Sequence, residues 1–249
     1  AALAVAAIAA VSFLAITDFT VDTVAAPFAE FVAEYKQSYF STEEFNLRKA
    51  NFAATLALID ERNAVDTATH GITHFADWSQ EEFLGMLTLK SDVEVLPEHD
   101  EPYTAFNVDH KDEITPVKDQ GACGSCWAFS AVEAMETQHY HYTGQLIDMS
   151  EQQLVDCDSG HYGCGGGWMY KAITYMEKQG SWSTEEEYPY TAKDGSCKSK
   201  TGSVQLTPTK NRRASGTSKL AAELVKDSPS VAVDASQWST YKEGVLSSC

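Results

Sequence analysis

Residues 120–129 read Gln-Gly-Ala-Cys-Gly-Ser-Cys-Trp-Ala-Phe and form the most informative stretch of the chain. The stretch predicts a Gly/Ser turn followed by a helix that begins near Ser125 and ends at Gly144. Cys126 would lie in the first helical turn, where the partial positive charge of unpaired backbone N–H groups favours a thiolate. Gln120 lies close enough along the chain to donate a hydrogen bond to a developing oxyanion. The stretch therefore indicates an activated thiol nucleophile on a rigid element.

The composition is that of a globular, acidic protein. The chain has 249 residues, 43% of them hydrophobic, which is enough for one or two domains with a real core. Its net charge is −18, and the acidic residues are spread along the chain without a long basic stretch. This distribution argues against nucleic acid as a partner and favours an acidic, solvated surface.

The first 16 residues are almost entirely apolar and rich in alanine. A span this short predicts the core of a signal peptide, with an uncleaved membrane anchor as the alternative. No methionine and no basic segment precede it, so we expect the leader, 1–26, to be incomplete, with small residues at Ala25 and Ala26 as a candidate cleavage site. Entry into the secretory route would permit disulfide bonds.

The cysteine count is informative because one cysteine is assigned to chemistry. The chain has six cysteines, at 123, 126, 157, 164, 197 and 249. Setting Cys126 aside leaves five, and an odd remainder suggests a free thiol or a missing partner. Since the chain stops on Cys249, we expect that the missing partner lies outside it.

The N-terminal third predicts a helical segment. Pro27 to Gln37 is amphipathic, and Ser41 with Glu44 forms a capping-box pattern at the start of a second helix. One stripe of that helix carries residues at helical spacing, namely Glu44, Arg48, Phe52, Thr55, Ile59 and Asn63. Taken alone, the stripe also fits an ordinary amphipathic helix with a Glu44–Arg48 pair. Gly71 to Asp77 alternates with period two and predicts a short strand or a kinked extended piece.

The remaining chain predicts a helical domain that ends in one strand. Residues 89–102 are polar and acidic and predict an exposed linker that is open to processing. Ser150 should cap a short helix, and 163–167 is a glycine-rich loop. The run 230–235 predicts a buried strand.

On these motifs, the chain resembles a precursor of the papain family of cysteine proteases, cathepsin L-like, along nearly its whole length after the leader. The helical stripe resembles the ERFNIN motif of the family's propeptide, with Thr55 in place of Asn. The run from Gly71 to Asp77, through Phe75, resembles the GxNxFxD motif, with Thr73 in place of Asn. The runs 116–120, 150–157 and 188–190 also match the family.

The resemblance implies an α+β fold, a papain-like two-lobe cysteine protease preceded by a mostly α-helical propeptide domain. The helical lobe would be complete and the β-barrel lobe truncated. The implied divisions are a partial leader (1–26), an inhibitory propeptide (27–88), a linker and processing region (89–102) and the N-terminal part of the peptidase (103–249).

The resemblance also implies residue roles. Cys126 would be the nucleophile, and Gln120 would donate its amide to the oxyanion. The implied substrate-binding residues are Gly124, Gly166, Gly167, Trp168, Met169 and Ala232, and the apolar ones predict a hydrophobic P2 residue. The implied disulfides are Cys123–Cys164 and Cys157–Cys197, with Cys249 unpaired. The family's catalytic His and Asn would follow Cys249.

We therefore expect a cysteine endopeptidase zymogen as the full-length protein and an inactive chain as given. The expected partners are polypeptide substrates and the propeptide as an intramolecular inhibitor, with no nucleic acid and no stable membrane association after leader removal. We expect a monomer without cofactor or metal, in the lysosome, the vacuole or the extracellular space. Two alternatives remain, a non-catalytic protease inhibitor or pseudoenzyme and a thiol–disulfide oxidoreductase that uses Cys123 and Cys126.

The propeptide carboxylates also suggest a response to acid. Carboxylates whose pKa is depressed by pairing lose that stabilisation as pH falls. We expect Glu44 and Asp77 to act in this way and to release the propeptide at low pH.

Overall fold

The computed structural model describes residues 23–88, 107–206 and 214–247. The predicted leader core and linker, and Cys249, lie outside these ranges. None of the described helices combines the length and the apolar character needed to cross a membrane.

The described chain divides into two compact units. The first comprises residues up to Gly85 together with those from Asp234, and the second comprises Met86–Val233. Four short strands form two antiparallel pairs among the described residues, and the other regular elements are helices. In chain order they are α1 (23–34), α2 (Thr42–Val65), β1 (Thr69–His70), α3 (Gln80–Met86), α4 (Cys126–Thr143), α5 (Glu151–Cys157), α6 (Met169–Gln179), β2 (Ser181–Trp182), β3 (Val204–Gln205), α7 (Thr217–Leu224) and β4 (Tyr241–Glu243).

The start of α2 has the predicted cap. Ser41 Oγ accepts a hydrogen bond from the Glu44 backbone N–H at 3.1 Å. The Glu44 carboxylate in turn accepts from the Phe40 N–H at 2.7 Å, one residue before the position that a capping box uses. Glu44 is thus a capping residue, and Arg48 pairs instead with Glu82 at 2.9 Å.

The core of the first unit is aromatic. Phe52 of α2 is fully buried, and its ring centroid lies 5.4 Å from that of Phe28 and 5.0 Å from that of Phe31. Ile59 is buried farther along α2. Thr55 and Phe75 line a cavity of about 170 Å³ beside this helix. The apolar members of the stripe therefore pack as a core face.

The polar end of the stripe fixes the chain that follows α2. Asn63 donates to the His70 carbonyl at 2.9 Å and accepts from the His70 N–H at 2.8 Å. This reciprocal pair holds β1, which lies antiparallel to β4 with Thr69 opposite Glu243. The buried Arg62 reaches the segment before β4, where it donates to Gln237 O and Thr240 Oγ1.

Of the two forms predicted for Gly71–Asp77, a short strand or a kinked extended piece, the strand is wrong, because β1 ends at His70. Gly71 N–H still donates to Thr240 O at 2.7 Å, and Thr73 Oγ1 donates to Ser239 O at 2.6 Å. Beyond that point the chain turns back on itself through local backbone bonds, from Ala76 N to Thr73 O and from Trp78 N to Phe75 O. Those bonds occupy the backbone groups that a strand would use for pairing.

The pKa of Asp77 does not follow the sequence expectation. Burial raises the pKa of this carboxyl, against the hydrogen bond that it accepts from Tyr39 and the charge of Arg48. A raised native pKa means that protonation favours the folded unit, so Asp77 does not loosen it as pH falls. At Glu82, burial also works to raise the pKa, but the Ser79 N–H and Arg48 outweigh it and lower the pKa. Glu82 therefore supplies an acid-sensitive contact of this unit.

The second unit is built on α4, α5 and α6. Trp127, Leu154 and Met176 are fully buried in one apolar cluster, and Trp182 of β2 joins them. The start of α5 is capped as predicted, since Ser150 Oγ accepts from the Gln153 N–H at 3.0 Å. These contacts make α4, with its N-terminal cysteine, a fixed element of the core.

The prediction of a buried strand over 230–235 is wrong. The segment is irregular, and Val231 and Val233 are each 55% exposed. A strand needs a neighbour for its backbone N–H and C=O groups, and no described strand pairs with this one. Ala232, a predicted substrate-binding residue, is accordingly exposed.

Candidate active site

The loop before α4 is fixed on both sides. Cys123 forms a disulfide with Cys164, and Gly124 N–H donates to the Cys164 carbonyl at 3.0 Å. The buried Ser125 shares a hydrogen bond of 2.5 Å with the Tyr190 hydroxyl. Since Cys123 is bonded to Cys164, it does not form a redox pair with Cys126, and this pairing removes the basis of the oxidoreductase alternative.

The second disulfide joins Cys157, at the end of α5, to Cys197. Both bonds have the partners that the resemblance implies. They close loops of 41 and 40 residues within the second unit. The first bond ties the loop before α4 to the glycine-rich loop, and the second ties the end of α5 to the segment around Cys197.

Cys126 is a free, exposed cysteine and the first residue of α4. Burial by the surrounding atoms raises the pKa of its thiol, and the Trp127 and Cys126 backbone N–H groups offset only part of that rise. The helix terminus alone therefore does not produce a thiolate, in contrast to the sequence expectation. Ionisation requires a cationic partner, and no histidine among the described residues hydrogen-bonds to this thiol.

Gln120 lies in the same loop as the thiol. Its side-chain amide donates to the Cys123 carbonyl at 2.8 Å, and its backbone carbonyl accepts from the Tyr190 hydroxyl at 2.8 Å. An amide group has two N–H donors, so the second remains for another acceptor. Tyr190 thus positions both Gln120 and Ser125. From the sequence, Tyr190 is identified only as part of the matching run 188–190, and this role is not predicted.

Thr88 occupies the space next to two of the predicted substrate-binding glycines. Its hydroxyl donates to the Gly124 carbonyl at 3.1 Å. A Cβ on Gly124 would lie 2.6 Å from Thr88 Oγ1, and a Cβ on Gly166 would lie 2.7 Å from the same atom. Gly166 also has a φ of 105°, which L side chains rarely adopt. The chain just after α3 therefore lies directly against these glycines.

The remaining predicted substrate-binding residues are placed differently. A Cβ on Gly167 would lie 2.5 Å from atoms of both Trp127 and His161, so packing alone demands glycine there. Trp168 is the N-terminal flanking residue of α6 and is 8% exposed, and Met169 packs against the core cluster. Gly124 and Gly166 thus lie against Thr88, whereas Gly167 packs against Trp127 and His161.

A buried charge cluster, which we name the Lys118 cluster, lies behind the loop and was not predicted. Lys118 Nζ contacts Glu136 at 3.0 Å, Glu151 at 2.7 Å and Asp148 at 2.6 Å. Burial raises the pKa of Glu151 to about 7. Burial also works to lower the pKa of Lys118, but Glu151 and Glu136 outweigh it and raise that pKa. Lys118 is thus the cation that compensates two buried carboxylates.

Comparison with known families matches both parts of the chain. Residues 104–249 match the papain family cysteine protease domain, and residues 28–83 match the cathepsin propeptide inhibitor domain (I29). Cysteine proteinase 15A of Pisum sativum is 39% identical over 240 residues, which are 88% of this chain and 66% of the pea protein. The chain spans 52% to 66% of the length of the first three curated relatives.

Solved precursor structures are similar as well. The digestive procathepsin L 3 of Tenebrio molitor larval midgut matches with a TM-score of 0.63 and 35% identity, over 73% of this chain and 63% of that one. A recombinant stem bromelain precursor matches with a TM-score of 0.68 and 26% identity, over 90% and 76%. The fold is a papain-like α+β fold with a helical propeptide. With its protease and propeptide regions both matched, the chain belongs to the papain family of cysteine proteases.

Proposed function

We propose that the full-length protein is a cysteine endopeptidase made as an autoinhibited zymogen. The observation that carries this proposal is Thr88 against Gly124 and Gly166, next to the first residue of α4. In the proposal these glycines let a substrate backbone approach Cys126. The end of the propeptide occupies the space that the substrate backbone would take. The propeptide would comprise 27–88, with processing in 89–102 and the peptidase domain from 103.

The proposed chemistry starts at the Cys126 thiol. A histidine base takes its proton and the sulfur attacks the peptide carbonyl. The C–N bond then breaks as the histidine gives that proton to the leaving amine, and water hydrolyses the thioester to release the acyl group and restore the thiol. The raised pKa of Cys126 supports the need for such a base, because the helix terminus leaves the thiol protonated. The second N–H of the Gln120 amide and the backbone N–H of Cys126 would donate to the oxyanion.

Specificity is proposed to reside in an apolar P2 site. Trp168 and Met169 flank the glycine-rich loop at the start of α6. An apolar lining favours a hydrophobic P2 side chain. The two disulfides agree with the proposed secretory route, towards the lysosome, the vacuole or the extracellular space.

The test is unmasking of peptidase activity in the full-length protein. We expect activity on fluorogenic peptides with Leu or Phe at P2 to rise when the chain is cut within 89–102, because Thr88 is then free to leave Gly124 and Gly166. Peptides with Asp at P2 serve as the matched substrates. Equal activity before and after the cut contradicts autoinhibition, and no activity in either state favours the inhibitor alternative.

Gln120→Ala is expected to lower kcat of the processed protein by about 10²-fold to 10³-fold, because one oxyanion donor is lost. KM should change little, since the donor acts mainly on charge that develops in the transition state. Steady-state kinetics on one peptide measure both constants, and the exposed Gln145→Ala is the control. A rise in KM with kcat unchanged would place Gln120 in ground-state binding instead.

A further inference from the structure

Three potential metal ligands converge at the far end of α4. His110 and Glu113 come from the segment that precedes the loop before α4, and His141 lies in the last turn of α4. Glu113 Oε2 lies 2.7 Å from His110 Nδ1 and 2.8 Å from His141 Nε2. The three ligand atoms all lie within 4.8 Å of one another. At 1.5 Å per residue, His141 is about 22 Å along the helix from Cys126.

We propose that His110 Nδ1, Glu113 and His141 Nε2 bind a zinc ion, in a site separate from the proposed catalytic site. A set of two imidazoles and one carboxylate suits Zn²⁺, whereas Mg²⁺ and Ca²⁺ prefer shells made only of oxygen ligands. A water molecule would complete a four-coordinate shell. The site goes beyond the proposed peptidase function and does not depend on it.

The other nitrogen of each imidazole already faces an acceptor. His110 Nε2 lies 2.6 Å from the Leu224 carbonyl, which leaves Nδ1 directed at the cluster. His141 Nδ1 lies 3.8 Å from a carboxylate oxygen of Asp227. A hydrogen-bonded outer partner fixes the ring orientation and the tautomer of a metal-bound histidine, as the Leu224 carbonyl does for His110. His110 is therefore oriented before any ion is bound, and Asp227 gives His141 an acidic neighbour.

The cluster has room for the small shift that an ion requires. Zinc lies about 2.0–2.2 Å from nitrogen and oxygen ligands, so tetrahedral ligand atoms are about 3.4 Å apart. The two contacts of Glu113 would lengthen by about 0.6 Å from their hydrogen-bond lengths. The Glu113 and His141 side chains are 31% and 28% exposed, so both can move by this amount without disturbing the core.

The site would join three segments of the second unit. His110 and Glu113 belong to the segment that leads to the loop before α4, and His141 lies near the C-terminus of α4. The acceptors are Leu224, at the end of α7, and Asp227, after it. Zinc would bind the folded arrangement and not the unfolded chain, so it should raise the thermal stability of this unit.

The experiment is calorimetric titration of the full 249-residue chain with Zn²⁺ alone. Cys126 and Cys249 are both replaced by serine so that no thiol from these positions supplies binding. We expect one ion per chain with micromolar affinity or tighter, an increase in melting temperature, and no binding of Mg²⁺ at the same concentration. Glu113→Gln and His141→Gln should each weaken Zn²⁺ binding by at least about tenfold, by comparison with outer-partner losses of that size.

The controls use neighbouring or chemically equal residues outside the cluster. Asp112→Asn removes the exposed carboxylate beside Glu113, and His74→Gln removes an exposed imidazole of the first unit; both should bind Zn²⁺ like the parent. Circular dichroism verifies that each variant is folded. One folded ligand variant, either Glu113→Gln or His141→Gln, is sufficient to test whether the cluster binds Zn²⁺. Absence of binding to the parent, or equal affinity in a folded ligand variant and the parent, overturns the proposal.

Discussion

Cys126→Ser is expected to lower kcat/KM of the processed full-length protein by about 10⁴-fold to 10⁶-fold, the range seen when a catalytic nucleophile is removed. A serine hydroxyl at the start of α4 is far less acidic than the thiol, and its protonated form is a weak nucleophile. The measurement is hydrolysis of a fluorogenic peptide under conditions in which the parent is fully processed.

Two controls make the Cys126 result specific. Tyr142→Phe changes an exposed residue of the same helix, 62% exposed, and should retain parental activity. The Cys126→Ser precursor should also remain uncut in 89–102 if processing is autocatalytic, and an added active parent should cut it. Retention of more than about a tenth of the parental rate in the folded variant would refute the assignment.

Lys118→Met is expected to cost the second unit about 3–5 kcal/mol of unfolding free energy, because it leaves buried carboxylates without their cation. Glu136 and Glu151 are 0% and 1% exposed, and Glu151 Oε2 has no hydrogen-bond partner among the described residues. Urea unfolding followed by tryptophan fluorescence measures the loss, since Trp127 and Trp182 lie in the core of this unit.

The Lys118 effect should depend on pH in a defined direction. The pKa of Glu151 is already raised to about 7, and removal of Lys118 raises it further. A carboxyl with a raised native pKa costs stability as pH rises above its unfolded value, so the variant should lose less at pH 5 than at pH 8.

The Lys118 cluster has matched controls. Glu151→Gln in the same chain should recover part of the loss, because it removes one uncompensated charge. Lys111→Met deletes a lysine that is 72% exposed and that pairs, within the described part of the chain, with Asp109, and it should change stability little. Equal stability of Lys118→Met and the parent at pH 8 would contradict the charge account.

The helix boundaries were predictable because capping is local chemistry. Ser41 and Ser150 accept the N–H groups that a helix N-terminus leaves free, and Gly144 ends α4 with a φ of 70°. Each feature depends on residues within four positions of the helix end. A single sequence is sufficient to recognise such patterns.

Partners across the fold were not predictable in the same way. One interpretation of the helical stripe paired Arg48 with Glu44 along α2, but Arg48 pairs with Glu82, which is 34 residues away. The run 230–235 has the apolar character of a buried strand, but pairing depends on a neighbouring strand that no local pattern reveals. Burial, likewise, sets the direction of the Asp77 pKa, and burial depends on the whole unit.

The site shows the same division. The short run from Cys123 to Cys126 identifies the thiol, because its turn and helix start are local. Thr88 against the glycines, the Lys118 cluster and the convergence of His110 with His141 all join residues between 18 and 78 positions apart, and no spacing rule links them. The convergence on which the proposed zinc site depends has no counterpart in the sequence pattern, from which no metal was expected.

The contacts of Arg62 impose an order on biosynthesis. Its partners at Gln237 and Thr240 lie 175 and 178 residues later in the chain, and β1 also waits for β4. At about 5–20 residues per second, the ribosome needs roughly 10–35 s to make that intervening stretch. The aromatic core of α1 and α2 can form early in translation. The segment 234–247, to which Arg62 and β1 bind, is made only near the end. A nascent chain that stalls before residue 234 would thus contain the propeptide helices without the segment that Arg62 and β1 bind.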